Sequence, residues 1–539
     1  MSGLEQIPIL SIILLSPLLG LAFIQLLPRH RASWLKIAAV ATTLLPLVLS
    51  LWLYADYDRQ QGAASYSETY SWVQAPLKMN VGGDWFFSFQ YAVGLDGLSL
   101  PLLLLTSVVT AMAALAAVHV KKRWKSFFSW FLLLEFGMIG AFIARDVFLF
   151  FIFFEITLVA MYFLIGIWGY YNRERAANRF LIYNGIGSAI LFIALIMLVN
   201  TAGFHIIETA SSLQYVYSGS YGDILRNLSD PNAYVNLPAE SAGSNPFALS
   251  ETKQWAIFLL LLIAFGIKLP VFPFHSWMLK VHQEAPPAVV MIHSGILLKI
   301  GAYGLIRFGL FLFPDQAREW ASVLAILGVI NLLYGAILAF RQQEFKLVLA
   351  YSSISHMGIV LIGLAAFNEI GLQGALFQLI SHGLISALLF LIVGSLYERT
   401  GTTELSQLGG LARTMPFISG VLLAAGLASL GLPGLSGFVG EFLSLLGLFE
   451  SMRWVTVIAV IGIILTAVYV LRSVLKITFG PQRDSFAAIR DARFIEALPM
   501  VVLLACIVLL GCYPSVLIDT VQASVGGYMD LLLATRAGG

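Results

Sequence analysis

The sequence predicts an all-α integral membrane protein of about fourteen transmembrane helices. Three observations carry this. Of 539 residues, 59% are hydrophobic and only 11% charged, too little charge to cover a soluble protein of this length. The apolar residues come in long runs rather than in the short periodic patches of a soluble core. Helices satisfy their backbone groups internally, as a bilayer requires, and runs near 20 residues suit helices rather than the shorter strands of a barrel. The net charge of +2 gives no basis for a nucleic-acid partner; the environment expected is the lipid bilayer.

Candidate spans fall at 8–27, 35–54, 97–119, 127–144, 147–169, 178–203, 254–273, 287–312, 320–340, 346–367, 371–397, 416–450, 453–475 and 496–518. The first lacks a basic leader and a clear A-x-A site, so it reads as a retained helix rather than a cleaved signal. The seventh contains Pro270 and Pro273, and the twelfth contains Gly-Leu-Pro-Gly at 431–434. Both are expected to be broken helices. The stretch 519–539 reads as a polar or amphipathic tail. Cys506 and Cys512 fit neither a CxxC nor a zinc pattern and are expected to pack in the core.

Lysines and arginines in short loops set orientation. Arg29, Arg31 and Lys36 follow the first span, and Lys121, Lys122, Arg123 and Lys125 the third. Arg173, Arg175 and Arg179 follow the fifth, and Arg483, Arg490 and Arg493 the thirteenth. Odd-numbered spans therefore end on the cytoplasmic side of a cell membrane. Two long polar loops, 55–95 and 204–253, and both termini fall outside. The second loop carries Glu208, Asp223, Asp230, Glu240 and Glu251 against Arg226 and Lys253.

Ionisable residues inside the spans are the functional signal, since each costs at least ~2.5–3.5 kcal/mol in hydrocarbon. Glu135 and Glu155 lie ten positions either side of Arg145. If Arg145-Asp146 is a tight turn between antiparallel helices, both carboxylates sit ~15 Å deep. Lys268 precedes Pro270 in the broken seventh span, where freed carbonyls admit water. Lys299 lies near the middle of the eighth, six residues after His293. His356 and His382 fall mid-span, and Glu441 follows the break of the twelfth. Histidines titrate near neutral pH and can relay protons. The bland readings are a neutral buried acid, a locked salt bridge and a satisfied core histidine. Their recurrence at one depth on many helices points instead to a lateral polar axis.

The energetics suit protons. Moving a charge against ~180 mV costs about 4 kcal/mol, the equivalent of a pKa shift of ~3 units, which a carboxylate approaching a buried lysine can produce. A Glu155–Lys268 pair could thus switch one proton.

Several stretches together resemble subunit M, the subunit-4 class, of proton-pumping NADH–quinone oxidoreductase (respiratory complex I). They are FFEITLVAMYFLIGIWG at 153–169, GIKLPVFPFHSWMLKVHQEAP at 266–286, GILLKIGAYGLIR at 295–307, KLVLAYSSISHMG at 346–358, FQLISHGLISALLFLIVGSLYER at 377–399 and GLPGLSGFVGEF at 431–442. The resemblance implies an antiporter-like subunit with two inverted five-helix repeats, each holding one broken helix. They would occupy 127–312 and 320–475, between an N-terminal part at 1–126 and a last helix and tail at 476–539. It matches Glu155 and Lys268 to the essential ion pair, Lys299 to the central lysine, Glu441 to the terminal carboxylate, and His356 and His382 to axis histidines. The implied partners are other membrane-arm subunits.

The sequence departs from the family pattern in three places. Lys280 stands where the family's W-L-P-D-A-H loop carries an acid. Glu344-Phe345-Lys346 replaces Asp-Leu-Lys. His293 is more typical of the sister subunit L, although Ser386 stands where that class has a lysine. These changes touch loop contacts and the proton entry path rather than the core residues.

One rival is a subunit of a multisubunit cation/proton antiporter. A second is a cytochrome with His356 and His382 as haem ligands, which would leave the buried acids and lysines without purpose. A non-catalytic scaffold has little reason to bury so many charges. The sequence carries no nucleotide loop, metal cluster or flavin motif, so no cofactor is expected in this chain and redox chemistry is assigned to partners.

Overall fold

A computed structural model of the chain describes residues 8–28, 32–57, 66–78, 84–208, 213–237, 245, 247–481 and 484–537, with side chains as far as residue 529. Arg29, Arg31, Glu240 and Arg483, used above for orientation, lie outside the described residues. Twelve of the described helices are long and apolar enough to cross a membrane.

The helices run α1 (Ile9–Leu26), α2 (Ala32–Asp56), α3 (Ser99–Ala116), α4 (Trp124–Ile143), α5 (Val147–Trp168), α6 (Arg173–Thr201), α7 (Tyr221–Ser229), α8 (Glu251–Lys268), α9 (Ser276–Glu284) and α10 (Pro287–Leu310). They continue as α11 (Ala321–Arg341), α12 (Phe345–Ala365), α13 (Glu369–Thr400), α14 (Pro416–Ser429), α15 (Ser436–Ser451), α16 (Arg453–Thr478), α17 (Phe494–Cys512) and α18 (Ser515–Ala537). The expected spans are reproduced within a few residues. Both expected breaks occur: α8 gives way to α9 across Pro270 and Pro273, and α14 to α15 across Leu430–Leu435. At the first break, the Trp277 indole donates to the freed carbonyl of Ile267 (3.1 Å) and the Phe272 N–H to Asn331 (2.7 Å). These contacts satisfy backbone that lipid could not. The Arg145-Asp146 turn is as counted, with Asp146 capping α5 through the N–H groups of Phe148 and Leu149.

The centre belongs to α10 and α13, whose apolar windows are buried throughout. α1, α16 and α17 keep only a minority of theirs buried and face outward.

The helical bundle also carries a small sheet that the reading of loops 55–95 and 204–253 did not foresee: they contribute four strands in the order β1-β2-β4-β3, with β1 (Ser67–Leu77), β2 (Asp84–Gly94), β3 (Phe204–Glu208) and β4 (Leu213–Ser218). β1 and β3 pair antiparallel to β2 and β4, while β2 and β4 pair in parallel. Strand formation follows from aromatic and β-branched residues. Trp85 stacks on Tyr215 (4.4 Å) and Phe204 on Phe247 (4.0 Å), and these rings join the sheet to the core of the helices. Glu68 of β1 accepts the N–H groups of Leu10 and Ser11 at the start of α1. The tail is helical over its described residues, and α18 packs on the ends of α2 and α10 through Tyr54 with the Val516 carbonyl and Tyr528 with the Leu310 carbonyl. One expectation needs correction: the cysteines are not core residues. Cys506 is half-buried and Cys512 exposed, because α17 turns much of its surface outward.

Candidate functional site

Lys299 occupies the middle of α10 between two π-helical turns, His293–Leu297 and Leu305–Leu310. Such turns shift side-chain phase along a helix and often mark functional sites. Two glycines let α10 approach its neighbours. A Cβ on Gly301 would sit 2.8 Å from the Leu269 nitrogen, so Gly301 fits against the end of α8 beside Lys268. A Cβ on Gly383 would sit 2.8 Å from the Gly295 carbonyl, which fixes the close crossing of α10 and α13.

That crossing builds the densest part of the site. Lys299 Nζ donates to the Ser294 carbonyl (2.5 Å) and lies 2.7 Å from His382 Nδ1. The His382 ring is 5.3 Å from the His356 ring. His356 Nδ1 is 3.3 Å from Glu441 Oε1, within ion-pair reach once the imidazole is protonated, though not aligned as a hydrogen bond. Gln378 on Nδ1 (3.2 Å) and Ser429 on Nε2 (3.5 Å) hold the same imidazole. Glu441 reaches this position because Gly431, at φ 78°, leaves room where a Cβ would meet its Oε2 at 2.5 Å. The structure therefore joins Lys299, His382, His356 and Glu441, drawn from α10, α13, α12 and α15. A cavity of about 10 Å³, lined by Ser352, Ser353, Ser429 and both histidines, adjoins them; that is room for about one water.

The other predicted residues are placed differently. Lys268 is 3% exposed and its Nζ makes no hydrogen bond; it sits over the Phe154 ring at 4.6 Å and the Phe180 ring at 5.8 Å. Glu155 is half-buried with an unpartnered Oε1. Its field acts on Lys268, yet no ion pair within 4 Å joins the two. Glu135 is fully buried with both oxygens unpartnered. His293 lies within the fields of both Lys268 and Lys299 and meets His282 through His293 Nδ1 and His282 Nε2, 2.9 Å apart. One imidazole donates and the other accepts, so the tautomers of the two rings are linked.

Sequence reasoning passed over His282, which it read as part of a loop; its place six residues after Ser276 on a short helix was the available signal. It also missed a cluster before the start of α3, after the end of α4 and near the end of α10. Arg307 NH2 and Arg145 NH2 reach Asp96 Oδ2 at 2.5 and 3.0 Å, and Arg307 Nε donates to Tyr303 OH (3.3 Å). Burial opposes ionisation of Asp96, but the two guanidiniums hold its carboxyl well below the usual carboxylate range. Lys299, Tyr303 and Arg307 are spaced i, i+4, i+8, nominally one stripe of α10 from the central lysine to this cluster.

Two interrupted helices, each carrying an ionisable residue at or near its break and packed around a line of buried bases and acids, define an antiporter-like membrane subunit. The chain belongs to the NADH:quinone oxidoreductase/Mrp antiporter transmembrane family, which it matches over residues 144–466. It is 37% identical to NAD(P)H-quinone oxidoreductase chain 4 1 of a Synechococcus, over 99% of this chain and 96% of the relative. It is 35% identical to NADH-quinone oxidoreductase subunit M of Rickettsia felis, over 96% and 98%. Among solved structures, it superimposes on a chain of respiratory complex I from Thermus thermophilus with a TM-score of 0.80, at 29% identity over 97% of this chain and 99% of that one. A chain of the Mrp complex from a Dietzia shares the fold, with a TM-score of 0.76 at 21% identity over 98% and 99%.

Proposed function

We propose that this chain is a proton-translocating membrane-arm subunit of an NADH–quinone oxidoreductase. It moves protons through its buried Glu, Lys and His residues while quinone reduction proceeds in partner subunits. The observation that carries this reading is the unbroken succession Lys299, His382, His356, Glu441 between the two helix breaks, with ring or polar contacts at each step. Glu155, Lys268 and Glu135 form the other end. Glu135 and Lys268 are buried and unpartnered and Glu155 is half-buried with Oε1 unpartnered, which suits groups that change charge rather than groups locked in salt bridges. His282 and His293 bridge the two lysines.

On this reading the two broken helices complete fourteen spans, the repeats occupy 127–312 and 320–475, and both termini face outward from the cytoplasmic membrane. The chain itself holds no cofactor and performs no redox step. The test is proton translocation by assembled complexes carrying Glu155→Gln or Lys268→Met. Both should lose coupling, and normal pumping in both sinks the proposal. The family's other branch supplies the second reading, a subunit of a cation/proton antiporter. Sodium-dependent exchange without any redox partner would favour it.

A further inference from the structure

Lys346 stands in the first turn of α12, where a cation opposes the helix dipole, so helix stability gives no reason for a lysine there. It is 5% exposed. Its Nζ lies 3.9 Å from the centre of the Tyr170 ring and 4.9 Å from that of Tyr397. Two carboxylates face it, Glu284 from α9 and Glu344 from the start of α12, while Glu398 acts on the Tyr170 side of the cage. Neither facing carboxylate pairs with it. Glu284 is taken by the Asn172 N–H (2.9 Å), and Glu344 by Gln283 (2.9 Å) and Thr403 (3.3 Å). Lys346 is thus a nearly buried ammonium held by two aromatic faces and distant negative charge.

One wall of this cage opens on water. Tyr170 lines a cavity of about 430 Å³ at the ends of α3, α5 and α13, among Lys121, Lys122, Arg173 and Glu398, on the side of the basic loops. In the other direction, Ser353 lies seven residues along α12, about 10 Å deeper. Ser353 borders the one-water cavity shared with His356 and His382. Leu349 and Phe390 line that cavity as well and keep the gap above it apolar.

We propose that Lys346 is the group through which protons enter the buried chain from the side of the basic loops, a role that rests on the proton-translocating reading above. Nζ takes a proton from water in the vestibule. When water fills the gap past Leu349, the ammonium releases a proton along it to the His356–His382 pair, leaving a neutral amine that reloads from the vestibule. The apolar gap is the gate and the tyrosine cage holds the loaded form.

The experiment uses the whole complex in proteoliposomes and reads protons moved per electron alongside quinone reduction, for Lys346→Met, Lys346→Arg and Lys299→Met. Arginine keeps the cation in the cage but cannot release its proton. Loss of coupling in both Lys346 variants is the expected result. Normal coupling in Lys346→Met, or rescue by Lys346→Arg, overturns the entry role and leaves a structural cation. Should Lys346→Met fail to assemble, Lys346→Arg alone decides. Lys299→Met separates the two levels: its normal coupling overturns the proton reading itself, whereas its failure beside normal Lys346 variants overturns only the entry role.

Discussion

Replacing Gly383 by alanine should uncouple the centre of the axis without touching an ionisable residue. The new methyl would arrive 2.7 Å from a Leu105 methyl and 2.8 Å from the Gly295 carbonyl oxygen. Leu105 can rotate away, but the carbonyl is main chain in the tightly packed α10. Restoring ordinary contact moves α10 and α13 apart by about half an ångström, since packed interiors do not absorb such overlap. The Lys299–His382 contact is 2.7 Å, and that separation takes it to the outer edge of hydrogen-bond geometry. A hydrogen bond to a charged group contributes about 1.5–3 kcal/mol, so proton sharing between the two residues should fall by roughly ten- to a hundredfold. Overpacking should also lower stability by about 1–3 kcal/mol. The assay is proton translocation per electron in proteoliposomes, with quinone reduction and native-gel assembly measured on the same preparation. Gly420→Ala, on α14 with open space around its added methyl, is the control. Wild-type coupling in a fully assembled Gly383→Ala complex would refute the reasoning, because it would mean that this helix crossing does not set the distance.

Two further expectations concern the outer side. Asp96→Asn leaves Arg307 and Arg145 facing each other without their shared carboxylate and should cost about 3–5 kcal/mol, seen as a lower thermal transition of the purified complex; a change under about 1 kcal/mol would class the cluster with exposed ion pairs. Burial pushes the Asp146 carboxyl up to about 6, above its unfolded value near 3.9. The folded state therefore binds the proton more tightly, and stability falls as pH rises between those values, then levels off. Asp146→Asn keeps the cap and removes the charge. It should stabilise the protein by at most about 3 kcal/mol at pH 7.5 and not at all near pH 4, and equal differences in transition temperature at both pH values would contradict this.

The sequence disclosed what depends on local pattern. Apolar run length located the spans, and Pro270, Pro273 and Gly-Leu-Pro-Gly located the breaks. Counting residues from the Arg145-Asp146 turn placed Glu135 and Glu155 on the two helices that flank it. Contacts set by distant segments were not legible. Lys299 and His382 are 83 positions apart, and only the Gly295–Gly383 crossing brings them together. Asp96 and Arg307 are separated by 211 positions, and each alone resembles an ordinary charged residue at a span end. The sheet escaped notice because β2 and β4 pair across four intervening helices, and neither strand alternates cleanly enough to stand out from a polar loop. His282 was visible only as part of a loop motif, since its short helix follows the proline break and lacks the length of a span. Glu155 and Lys268 were expected as a pair. The structure forms no ion pair between them: Lys268 lies over the Phe154 and Phe180 rings, and Glu155 is half-buried with Oε1 unpartnered.

The parallel pairing of β2 with β4 has a consequence for how the chain matures. β2 precedes α3, and β4 follows α6, so the two strands cannot meet until the four helices between them have been made. A contact between such distant segments closes a long loop and forms slowly. The sheet is then a clasp fastened late in biogenesis. β2, already made and paired with β1 as a hairpin, must wait with one edge open for its last partner. Protease access to the two sheet-forming loops during synthesis should therefore end only after residue 218 has emerged.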